Sequence, residues 1–150
     1  MDEFDPTFLT VLVGQIDEAA VDPNRLDDFL GTLESIYPGS RVTLFGHENG
    51  RPVLTLHRNF ASDELQAYRD YYVGNSPYAA RGLLLPVGQP ILSEVVIEDR
   101  ELKTTEHYND FVKPRRVGYY AAGAIVERRP DRVTALSLSD HKNDMDRRAR

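Results

Sequence analysis

Residues 104–126, TTEHYNDFVKPRRVGYYAAGAIV, decide how the rest of the chain is read. Their pattern predicts a short helix, a turn and a central strand. Thr104 or Thr105 can accept from the open amides of a first helical turn, Tyr108, Phe111 and Val112 fall on one face, and Pro114 forbids further helix. Gly118 closes the turn. Residues 119–126 carry no charge, and Ala121, Ala122, Gly123 and Ala124 are small enough for a strand buried on both faces, where backbone or a ligand comes close.

Downstream of this stretch, Pro130-Asp131 marks a turn, and residues 133–139 alternate as a last strand antiparallel to its neighbour. Upstream, residues 83–90 are apolar but broken by Pro86, Gly88 and Pro90, which predicts an irregular connection leading to an edge strand over 91–96. Before that, Ser62 caps a helix in which Leu65, Tyr68 and Tyr72 share a face with Tyr71 beside it. Gly74 ends this helix and Ser76-Pro77 opens another. Residues 41–47 and 52–58 alternate as two strands, and Asn49-Gly50 supplies the pair of positive φ angles a tight hairpin needs.

Two helices open the chain. Asp5-Pro6 starts the first, with Phe8, Leu9, Leu12, Val13 and Ile16 at helical spacing. Asp22-Pro23 starts the second, whose stripe of Leu26, Phe29, Leu30, Leu33, Ile36 and Tyr37 runs to Pro38-Gly39. Two hairpins separated by helical crossovers exclude an all-parallel sheet. The expected class is α+β, an antiparallel sheet with flanking helices.

A chain of 150 residues is near the modal size of one domain and buries roughly 68–70 % of its unfolded surface without staples. It has no Cys, so disulfides, thiolate metal sites and cysteine nucleophiles are excluded. No apolar run approaches the ~20 residues of a membrane helix, and Met1-Asp2-Glu3 has the wrong charge for a secretory leader. A soluble, cytoplasmic protein with no membrane partner is expected. The net charge of −6 argues against a phosphate backbone as a direct partner.

The chemistry-bearing residues are scattered. His47, His57, His107 and His141 show no metal-ligand spacing, and no Gly-x-Ser-x-Gly elbow or Gly-rich phosphate loop occurs, so no metal, cofactor or catalytic residue is expected. Glu106, His107 and Asp110 share one turn, where they either move protons or cap a helix and meet solvent. The tyrosines say more. Tyr68, Tyr71, Tyr72 and Tyr78 cluster in one helix-loop unit, and Tyr108, Tyr119 and Tyr120 lie near the central strand. An apolar ring with one polar tip suits a small-molecule pocket, and it equally suits a half-buried core residue. The candidate ligand-binding set is Tyr68, Tyr72, Ser76, Tyr108, Tyr120 and Gly123.

The segment Glu106-His107-Tyr108-Asn109-Asp110-Phe111-Val112-Lys113-Pro114 resembles the Ser-Glu-Phe-Tyr-Asn-Glu-Phe-Leu-Arg-Pro stretch of the N-terminal sensor domains of LuxR-type helix-turn-helix transcriptional regulators. Residues 133–138 resemble the strand that follows it there, and Asp22-Pro23 and residues 68–77 fit as well. The resemblance implies a PAS/GAF-like sensor domain over residues 8–139 with a polar tail at 141–150. It further implies a non-enzymatic role in signal transduction, an unknown small-molecule effector, and DNA reached only through a helix-turn-helix module for which this chain has no room after Arg150. Separately, Phe8, Leu9, Leu12, Val13 and Ile16 give the first helix a wider apolar surface than one sheet contact covers, which predicts a homodimer. Acyl-homoserine-lactone receptors of that family place aromatic residues before an Asp-Pro pair whose aspartate takes the ligand amide. Here the pair is Ser76-Pro77 and there is no Trp, so a different effector is expected. Two rivals remain: a small α+β enzyme using Tyr, His and Asp as acid and base, and a pure dimerisation module.

Overall fold

The computed structural model describes residues 6–36, 38–82, 84–116 and 120–140. The expected Asp5 cap, Tyr37, the Gly118 turn with Tyr119, and the tail 141–150 lie outside these residues. Among the described residues, five strands form one antiparallel sheet in the order β2-β1-β5-β4-β3. They are β1 (Arg41–Glu48), β2 (Arg51–Arg58), β3 (Ile91–Leu92), β4 (Tyr120–Arg129) and β5 (Arg132–Asp140). This is the α+β class the pattern predicts. Asn49 and Gly50 take φ of 51° and 74°, the double left-handed turn that lets β1 and β2 pair tightly. Among the described residues, no helix is long and apolar enough to cross a membrane.

One sheet face is covered by the first two helices. Asp22 accepts from the Asn24 amide at 3.1 Å and opens a 3-10 turn that feeds α2 (Leu26–Ile36). The α2 stripe packs Phe29 and Leu30 on Val42, with Leu26, Leu33, Leu56, Leu136 and Leu138 around them. Leu30 and Val42 are fully buried. Burying one such side chain contributes roughly 1.5–3 kcal/mol, so this layer is a main source of stability. Helix α1 (Pro6–Val21) lies outside α2 and contributes only Leu12 to the cluster.

The other face is covered by the middle of the chain. Helix α3 (Ser62–Ala67) continues into a wide π turn at Tyr68–Tyr72, closed by the Val73 amide on the Tyr68 carbonyl at 2.8 Å. Helices α4 (Pro77–Gly82), α5 (Ser93–Val96) and α6 (Asp99–Leu102) follow, and a second π turn at His107–Val112 runs into α7 (Lys113–Arg115). Ile97, Leu102, Phe111 and Val112 form the core of this layer.

Four expectations are corrected. Pro114 does not end the helix but sits inside its last turn, where Arg115 Nη1 donates to the Asp110 carbonyl at 2.9 Å and occupies an acceptor the proline nitrogen cannot serve. The helix stops at Arg116, whose φ is 55°. The edge strand expected over 91–96 is only two residues long. Ser93 Oγ accepts the Ala121 amide at 3.1 Å, intercepting the next ladder bond, and the chain turns helical. The strand through Gly123 is not central: β5 holds that position, and Ala121, Ala122, Gly123 and Ala124 are half-buried. Finally Ala61, not Ser62, occupies the cap of α3, with Glu64 Oε2 accepting from the Ala61 amide at 3.2 Å. Thr105, in contrast, does cap its helix, accepting from the Tyr108 amide at 3.1 Å.

Candidate functional site

Strand alternation sends Val42, Leu136 and Leu138 toward α2 and the intervening residues to the opposite face. There a cavity of about 130 Å³ lies between the sheet and the two π turns. It is partly open and falls short of the ~300 Å³ at which drug-sized pockets begin. A dry engineered cavity of about 150 Å³ holds benzene, so a compact, one-ring ligand is the scale that fits.

The sheet side of the cavity is built in three cross-strand rows. Arg41 pairs with Ser139 and Ser139 with Ala121; Thr43 pairs with Ser137 and Ser137 with Gly123; Phe45 pairs with Ala135 and Ala135 with Ile125. All nine line the cavity. Polarity falls from the first row to the third, where Ile125 and Ala135 form an apolar cluster with Phe45, Leu85 and Val133. Gly123 is required by its neighbour rather than its φ: a Cβ there would lie 2.8 Å from the Leu136 carbonyl oxygen. Its lack of a side chain keeps β4 close to β5 and the cavity open.

Aromatic rings line the helical side. Centroid separations are 5.9 Å from Phe60 to Tyr68, 5.8 Å from Tyr68 to Phe111, 5.6 Å from Phe111 to His107 and 6.3 Å from His107 to Tyr78. All five border the cavity. Four of the residues that border it, Tyr68, His107, Phe111 and Val112, come from the π turns, whose extra residue per turn re-aims side chains that a regular helix would place elsewhere.

Of the expected ligand-binding residues, Tyr68, Ser76 and Gly123 line the cavity together. Tyr72 stands behind it, stacked on Phe111 at 4.7 Å, and Tyr108 packs on the same core cluster. Tyr120 opens β4, and its side chain lies outside the described residues. Tyr71 is exposed and donates to Glu106 at 3.1 Å. Glu106 and Asp110 are exposed whereas His107 is buried, so the turn of Glu106, His107 and Asp110 does not converge.

Polar groups in the cavity are few and poised. Burial holds the Tyr68 phenol protonated, pushing its pKa up to about 12. Burial also holds His107 neutral, its pKa lowered to about 4, and its Nδ1 has no hydrogen-bond partner among the described residues. Arg41 Nη2 reaches Glu64 Oε1 at 3.4 Å with both side chains largely buried, while Arg41 Nε is buried without a partner among the described residues. Sequence reasoning missed Arg41, Thr43, Phe45, Ser137 and Ser139. For all but Phe45 the signal was present as small or polar residues alternating with the Val and Leu of the α2 face.

No family model and no curated protein matches the chain. Among solved structures, the chain is similar to the VqsR LBD domain, the ligand-binding domain of that protein from Pseudomonas aeruginosa. The TM-score is 0.67 at 16 % identity, over 89 % of this chain and 80 % of that one. The chain thus shares its fold, an antiparallel sheet with flanking helices, with that domain.

Proposed function

We propose that the chain is the small-ligand-sensing domain, PAS/GAF-like, of a LuxR-type transcriptional regulator in the cytoplasm, touching DNA only through a helix-turn-helix module. The single observation that carries this is a mostly apolar cavity with buried, unpartnered polar atoms, set between sheet and π turns in a fold that resembles a ligand-binding domain. Residues 8–139 form the sensing unit on this reading and 141–150 a polar tail. Ligand binding acts by favouring one arrangement of the helices around the cavity over another.

The effector is compact and is not an acyl-homoserine lactone. Ser76 replaces the charged acceptor such a ligand uses, which weakens that bond about twofold, and the cavity is too small for a long acyl chain. Thermal-shift titration tests both points. A saturating one-ring ligand at a hundred times its dissociation constant should add about 2.7 kcal/mol, and a chain-length series of lactones should add nothing. A dose-dependent rise with a lactone that Tyr68→Ala abolishes would return the domain to the quorum-sensing class.

The domain also forms a homodimer through α1. Leu9, Val13 and Ile16 lie along one stripe of that helix and remain about half exposed, an apolar face that a second copy would cover symmetrically.

A further inference from the structure

Resting on the ligand-binding reading above, we propose that the cavity selects a neutral, one-ring ligand bearing a single carbonyl-type acceptor, with that acceptor on Arg41 and the ring on Phe45, Ala135 and Ile125. The sheet sets this orientation. Along β1 the side chains facing the cavity run Arg41, Thr43, Phe45, at about 7 Å per step, so one end of the floor offers a donor and the other only hydrocarbon.

The donor at the polar end is unused. Arg41 Nε is buried and without a partner among the described residues, and a guanidinium nitrogen only donates, so the group it waits for is an acceptor. Leaving a buried donor unmade is costly, and a bound oxygen removes that cost. Charge decides between acceptors. Glu64 already pairs with Arg41 through Nη2, and burial keeps His107 neutral, so Arg41 is the single permanently cationic side chain lining the cavity among the described residues. A carboxylate ligand would bring a second negative charge to a guanidinium that is already neutralised in a poorly solvated site. A ketone, aldehyde or amide oxygen meets the same Nε–H without that penalty.

Three probes of one size separate the terms: acetophenone, benzoate and ethylbenzene, titrated into the protein by ligand-observed and amide NMR. Acetophenone is expected to bind about tenfold more tightly than ethylbenzene, as one recovered hydrogen bond implies, and more tightly than benzoate. Arg41→Lys keeps a cation opposite Glu64 but removes the Nε donor, so it should erase the advantage of acetophenone over ethylbenzene. If that variant does not fold, the wild-type ranking of the three probes decides alone. Equal binding of acetophenone and ethylbenzene, or tightest binding of benzoate, would overturn this inference while leaving a ligand cavity in place. Saturable binding by none of the three would overturn the ligand-binding reading itself.

Discussion

Gly123 shows how one absent methyl group shapes the site. A Cβ on this residue would sit 2.8 Å from the Leu136 carbonyl oxygen, so no side chain fits without moving β4 off β5. Gly123→Val should therefore lose roughly 1–3 kcal/mol, read as a lower melting temperature, and a variant as stable as the parent would contradict the sheet packing. His107 makes a second residue-scale prediction. Its pKa falls from 6.5 to about 4 on folding, so between these values the unfolded chain binds a proton that the folded chain does not. Stability then rises with pH across that window and is lost as pH falls through it, by about 3 kcal/mol in all at roughly 1.4 kcal/mol for each pH unit crossed. Urea melts from pH 4 to 7 should show that slope in the parent and a flatter one in His107→Phe. Parallel slopes would mean that His107 is hydrated. The Gly123 constraint was legible in the sequence, since a glycine among alanines signals close approach, but the buried state of His107 was not. Its neighbours Tyr72 and Tyr78 come from another segment, and only the fold brings their rings within 6.0 and 6.3 Å.

At the scale of elements, α1 carries two stripes where its sequence suggested one. Phe8, Leu12, Gln15 and Ala19 turn inward and are half-buried, whereas Leu9, Val13 and Ile16 turn outward. The stripes should separate in mutation. Val13→Asp is expected to convert a dimer to a monomer with a nearly unchanged melting temperature, whereas Leu12→Asp, packed against the α2 cluster, should destabilise the fold itself. Sedimentation at micromolar concentration checks this, and a parent that is already monomeric would remove the dimer. The helices of the middle region were legible in existence but not in pitch. Apolar spacing put Tyr68 and Phe111 each on the apolar face of its own helix, yet the π turns that aim them depend on tertiary packing that spacing does not encode. The short β3 was obscured likewise, because Val95 and Val96 read as strand while a serine hydroxyl ends the pairing.

Over the whole molecule, hairpins and helical stripes were enough to give an antiparallel α+β sheet. The strand order needed the β1 to β5 pairing, in which Arg41 meets Ser139 across most of the chain. That pairing also creates the site, since it sets the polar row beside the apolar row on the face away from α2. If this face, between sheet and π turns, takes a small ligand, methyl NMR during titration with a set of one-ring compounds will show it. Saturable shifts are expected at the methyl groups of Ala135 and Ile125, with none at Leu30 and Leu33 on the opposite face. Shifts confined to the α2 face, or absent from both faces across the set, would contradict a ligand site between sheet and π turns.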